Sequence, residues 1–311
     1  MRSGKRSVMG AGLLCSALLI GSPSPILAED RAKSFAQDLA AAKRAGIPTT
    51  PQELQAPLPP PNQNAAPLYT ELARILEAKP LSKDHKIIEY SAYRGVLSSE
   101  QFERLRRALK SRFDVVSLVH QAVARPQCVF ARDWAMPYYV PEPETTAMRF
   151  AARLIAAESQ LMTHDGKALE ATRHLALNFK IARHAAFDGT MGYTVANSID
   201  NMTLFGFRRM LYLSGSGVKT IEAVQSSVEN HYAPPALSRR LMFSAGCDLV
   251  MFDFFRKKSL GKGKEKYREQ FMPGNKDISL EEWNAFIDAN SRAVLKYAYR
   301  LISAANHPHW S

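Results

Sequence analysis

The stretch TTAMRFAARLIAAESQLMTHDGKALEATRHLALNFKIARHAAF, residues 145–187, decides the fold. Phe150, Leu154, Ala157 and Leu161 recur at steps of three and four, the spacing that holds apolar side chains on one face of a helix. After the turn His164-Asp165-Gly166-Lys167 the pattern returns at Ala168, Ala171, Leu175, Phe179, Ala182 and Ala186. Two helices rich in small residues and joined by so short a turn predict an antiparallel hairpin, each face burying the other.

The rest of the chain follows the same period. Toward the C-terminus, helices are expected from about Thr194 to Leu213, Lys219 to Tyr232, Leu237 to about Leu260 and Leu280 to Ala305, separated by Gly215 and Gly217 and by Pro234-Pro235. Toward the N-terminus, Ser98-Ser99-Glu100 starts a long helix reaching Ala124, with Leu105, Leu109, Phe113, Val116 and His120 in its stripe and Arg125-Pro126 at its end. Asn64-Ala-Ala-Pro67-Leu68-Tyr69 opens another, with proline in the first turn. Gln55 to Gln63 holds four prolines and predicts an extended strap, preceded by a helix over Asp30–Ala45 and a short one capped by Thr50 with Pro51 first. Gln127 to Glu144 is aromatic and irregular, the composition of a core plug or a cleft lining. No segment alternates with the two-residue period of a sheet. The expected fold is therefore all-α, a multi-helix bundle or an irregular array of antiparallel hairpins behind a Pro-rich N-terminal strap.

Residues 1–28 have the build of a secretory leader. Arg2, Lys5 and Arg6 precede an apolar run from Val8 to Ile20, Pro23 and Pro25 end it, and Ile26-Leu-Ala28 offers a cut before Glu29. The run is short for a bilayer span. The expected division is a leader at 1–28, the N-terminal helix and strap at 29–63, and a helical domain at 64–311, working in the periplasm or outside the cell with no transmembrane span after cleavage. The formal net charge is +12, of which the leader supplies three. A basic protein at that address points to an anionic envelope surface or a protein partner, not to nucleic acid. Arg256, Lys257, Lys258, Lys262, Lys264, Lys266 and Arg268, with Gly261 and Gly263 among them, are the candidate anionic-surface contact; a simply solvated loop is the alternative. Once the leader with Cys15 is gone, Cys128 and Cys247 remain. An oxidising compartment allows them to pair, closing a loop of roughly 120 residues with a stabilisation of about 4–5 kcal/mol at most. Two buried thiols are the other reading.

Catalytic residues are best sought among carboxylates in apolar surroundings. Glu158 has Leu154, Ile155, Leu161 and Met162 at its three- and four-residue neighbours, and Asp248 has Ser244, Ala245, Met251 and Phe252. A buried carboxylate must be paired or carry a raised pKa. Glu158 and Asp248 are the candidate acid and base of a hydrolase or lyase; pairing with Arg153, Arg208, Arg209 or Arg240 is the structural alternative. Arg173-His174 and Arg183-His184 repeat at a spacing of ten, about 15 Å along a helix, which forbids a shared metal and suggests a solvated face. His307-Pro-His309 is a frayed tail at best able to hold an ion weakly. No cofactor and no metal site is expected, and no phosphate loop, nucleophile elbow, His-Glu-x-x-His or paired cysteines at zinc spacing occur.

Ala156-Ala157, Gly166, Ala171 and Ala182 give the hairpin a loose resemblance to a single tetratricopeptide unit, without a repeating period along the chain. Ala45-Gly-Ile-Pro-Thr-Thr-Pro-Gln-Glu-Leu54, the strap and Asn64-Ala-Ala-Pro-Leu-Tyr69 together resemble uncharacterised secreted helical proteins of bacteria. That resemblance implies a helical secreted fold and carries over no catalytic residue. The function expected is that of a non-enzymatic binding or envelope-associated protein, with the carboxylate enzyme as the alternative.

Overall fold

The computed structural model describes residues 37, 39–80, 82, 85–93, 97–134, 143–213, 217–259 and 279–305. Every regular element among them is helical; the one bridge is an isolated pairing of Asn64 with Gln127. The all-α expectation holds. No described helix is long and apolar enough to cross a membrane. The leader 1–28, residues 260–278 with most of the basic segment, and the His307-Pro-His309 tail lie outside the described residues. Arg256, Lys257 and Lys258 fall in the last turn of a helix, Pro234–Ser259.

The chain divides into two compact units. Among the described residues, one takes those within 37–54, 133–134, 241–259 and 279–304, the other those within 55–132 and 143–240 together with 305.

In the first unit, Pro51–Leu54 begins as its sequence demands, with the Glu53 amide donating to Thr50 Oγ1 at 3.3 Å. Ala42, Ile47, Ala245, Leu249, Leu295 and Ala298 form one buried cluster, and Leu54, Trp134, Cys247 and Val250 another. Leu241 to Phe255 is buried over most of its length, as a helix apolar nearly all round must be.

The second unit is built on the hairpin. Its first arm is Pro143–His164, starting two residues before the expected Thr145. Met148, Ala151, Leu154, Ile155 and Ala157 have no exposed surface, and each such Leu or Ile contributes about 2 kcal/mol of burial. Gly166 makes the turn, with φ +79°, a left-handed conformation that glycine adopts without cost. The Lys167 amide closes it on Met162 O at 2.9 Å. The second arm is divided into Ala168–Leu175 and Leu177–Ala185, with Ala176 at φ −60°, ψ −19° between them. Small residues let polar groups cross the seam: Ser159 Oγ donates to Ala171 O at 2.7 Å and Asn178 Nδ2 to Ala152 O at 3.1 Å. Gly189–Leu213 packs on the hairpin so closely that a Cβ at Gly206 would stand 2.7 Å from Leu175 Cδ2.

Around these pack Ala66–Ala78, Lys86–Tyr93, Ser99–Ser111, Phe113–Ala124 and Val218–His231. The strap docks through Asn64, whose Nδ2 donates to Val129 O and whose Oδ1 accepts from the Val129 and Ala66 amides. Lys86–Tyr93 was not anticipated from the sequence. The helix expected from Ser98 to Ala124 is two: a Ser98–Gln101 capping box opens Ser99–Ser111, and Arg112, at φ −119°, ψ 37°, breaks it. The break shifts the register, so Phe113, expected in the buried stripe, is 72% exposed, and Arg112 is buried in its place.

Cys128 and Cys247 form no disulfide; both are buried thiols, Cys128 in the core of the second unit and Cys247 in a cluster of the first. Burial pushes the Cys128 thiol well above its ordinary value, with Asp188 adding to the shift.

Candidate functional site

Three helices of the second unit bring His120, Glu158 and His174 to one point. On Phe113–Ala124, Val115, Val119 and Val123 are buried, and His120 stands at the edge of their stripe. On Pro143–His164, Glu158 lies one turn beyond the fully buried Leu154 and Ile155. On Ala168–Leu175, Ala171, Thr172 and Leu175 are buried and His174 flanks them. His174 Nε2 lies 3.0 Å from Glu158 Oε2, and His120 Nε2 lies 3.0 Å from Oε2 and 3.2 Å from Oε1. An ionised carboxylate only accepts, so each imidazole presents Nε2–H to the same oxygen. The rings are tilted at 43° with centroids 5.4 Å apart. Side-chain exposure is 15% for Glu158, 12% for His174 and 39% for His120, so the cluster opens to solvent on the His120 side.

The electrostatics keep the carboxylate charged. Burial pushes Glu158 up, but hydrogen bonds from His120 and His174 outweigh it and hold the group below the ordinary carboxylate value. The hydrogen bond to Glu158 raises His120, against a smaller opposing effect of its burial. One ligand atom from each residue falls within 4.8 Å of the others. In a tetrahedral zinc site, with bonds near 2.0–2.1 Å, donor atoms stand about 3.3 Å apart, so the Nε2–Oε2 pairs need to open by only a few tenths of an ångström. Two imidazole nitrogens and one carboxylate oxygen, with one open side, make a set suited to zinc and its transition-metal neighbours.

Three further polar clusters of this unit are sealed. Arg132 donates to Asp188 through Nε at 2.8 Å and Nη2 at 2.7 Å, and to Glu144 at 3.1 Å, with Thr70 Oγ1 donating to the other Glu144 oxygen. The Arg132 guanidinium lies 4.5 Å from the centre of the Phe130 ring. His231 stacks on Phe179 at 4.1 Å and meets Asp200 at 2.9 Å, while Arg240 donates to the other Asp200 oxygen at 3.0 Å. Tyr69 OH lies 3.1 Å from His184 Nδ1, both side chains buried. Burial, helped by the charge on Lys180, pushes His184 down to about 4.

The sequence singled out Glu158 correctly as a carboxylate in apolar surroundings, but its partners are histidines. Arg153 serves Glu89 and Tyr93, Arg209 donates to Ser91 O, and Arg240 holds Asp200. Asp248, half-buried, belongs to the first unit, and Glu158 to the second. Of the two Arg-His pairs expected on a solvated face, Arg173 and Arg183 are exposed, but His174 is largely buried on Glu158 and His184 is buried on Tyr69. The His120–Glu158–His174 cluster leaves little mark in the sequence because its members come from three helices. The one local sign was His120, a polar residue in step with an apolar stripe. No family model, curated protein or solved structure matches the chain.

Proposed function

We propose that the protein is a secreted, non-enzymatic binding protein that captures a divalent transition metal, with zinc as the best fit, through His120, Glu158 and His174. The observation that carries this is the convergence of both Nε2 atoms on one carboxylate oxygen at 3.0 Å. The ligand set is too rich in nitrogen for magnesium or calcium, which call for cages of oxygen. A Glu158 held ionised is already in its metal-binding form, and is a poor proton donor near neutral pH, which argues against it as the acid of an enzyme. The leader at 1–28 supports an address outside the cytoplasm, and the basic residues from Arg256 to Arg268 suit an anionic envelope surface there.

Calorimetric titration of the full chain with zinc chloride is expected to show one saturable site per chain. His120→Ala and His174→Ala should each weaken it by roughly tenfold to a hundredfold, while a His307→Ala/His309→Ala double variant leaves it unchanged. Absence of saturable binding, or loss of it only in the tail variant, would refute the assignment.

A further inference from the structure

A second surface of the same unit has a different chemistry. Between Lys86–Tyr93 and Gly189–Leu213 runs a groove of about 470 Å³, lined by Tyr93, Thr194, Asn197, Ser198, Asn201, Met202 and Phe205. Its volume is in the range of small-ligand sites. The rings at its sides are exposed, Tyr93 at 53% and Phe205 at 45%, yet they are held in place. Arg153 Nε donates to Tyr93 OH at 3.2 Å, with its guanidinium 5.3 Å from the ring centre, and Arg153 is itself anchored on Glu89. The Arg209 guanidinium stands 6.0 Å from the Phe205 ring centre and donates to Ser91 O. Large aromatic side chains are ordinarily buried; here cations fix two of them at the surface.

The floor is polar. Asn197 and Asn201 are one turn apart on the same helix face, with Ser198 beside them, and among the described residues none of the three side chains hydrogen-bonds to the protein. Asn197 to Phe205 spans about 12 Å of helix, room for more than one sugar ring. A pyranose presents an apolar C–H face to an aromatic ring and hydroxyls at its rim. An acetamido group adds an amide that matches an asparagine donor for acceptor, and a methyl that fits against Met202 and Phe205.

We infer that this groove binds an acetamido-sugar oligosaccharide, with Tyr93 as the stacking platform and Asn197 and Asn201 as the amide-reading groups. The inference stands apart from the metal site.

The test is a calorimetric titration of the full chain, without added metal, using the β-1,4-linked N-acetylglucosamine hexamer as probe. Saturable binding is expected, weakened roughly tenfold by Tyr93→Ala and by Asn201→Ala and largely kept by Tyr93→Phe. Both positions are exposed, so circular dichroism and melting temperature should stay at the wild-type values. No saturable binding by the wild type, or binding that neither alanine variant alters, would overturn the inference. So would self-association abolished by Tyr93→Ala in a protein that ignores the oligosaccharide, which would assign the groove to a second copy of the chain.

Discussion

Arg173-His174 and Arg183-His184 are the same dipeptide ten residues apart on one arm of the hairpin, and the two histidines end in opposite surroundings. His174 meets a charged carboxylate and a second histidine at a seam open to solvent. His184 meets a tyrosine in a closed interior, near the end of the arm where Asp188 is clamped by Arg132. One end offers lone pairs that a metal can take over; the other has bound its polar groups to each other. Local sequence is the same at both. What differs is the facing helix: Glu158 and His120 come from neighbours at one end, Tyr69 from Ala66–Ala78 at the other.

The contrast can be broken most forcefully at the sealed end. Asp188→Ala leaves the Arg132 guanidinium buried with only Glu144, and should cost about 3–5 kcal/mol of unfolding free energy by urea denaturation. Zinc affinity of the folded fraction should not change. A loss below about 1 kcal/mol would mean that the clamp is not structural.

His184 is held near 4 in the folded chain against an ordinary 6.5, so between those values the unfolded chain takes up a proton that the folded chain refuses. Stability should therefore fall as pH drops through this window, by up to about 3 kcal/mol. His120 works in the opposite sense. Its raised value gives stability that is complete below 6.5 and is lost as pH rises through the folded value. Urea titrations across the window should show the acid loss in the wild type and a flatter profile in His184→Gln; identical profiles would remove His184 from the account. The smallest effect is expected from Tyr69→Phe, which deletes the hydrogen bond to His184 Nδ1 and should cost about 1 kcal/mol in the same assay.

Much of this architecture was legible in the sequence, and the reasons are local. Gly166 fixes the turn, Pro51 and Pro67 open helices, and Leu154, Ala157 and Leu161 declare a face. The break at Arg112 was not legible, because no glycine or proline marks it and the stripe through Phe113 runs on across it. Glu158 stood out because a charge among Leu and Ile needs an explanation. Its partners did not, since His120 and His174 lie 38 and 16 residues away and meet it only after three helices pack. The repeated Arg-His pairs misled for the same reason: a helix wheel shows which residues share a face, not what that face meets.

The central claim is that His120, Glu158 and His174 together hold a transition metal. The most direct test is X-ray absorption at the zinc edge on the full chain loaded with one equivalent of zinc, beside Glu158→Gln. The wild type should show two imidazole nitrogens and a carboxylate oxygen at about 2.0–2.1 Å, completed by water, and the variant should lose that shell. A wild-type spectrum of hydrated zinc, or one left unaltered by Glu158→Gln, would contradict it.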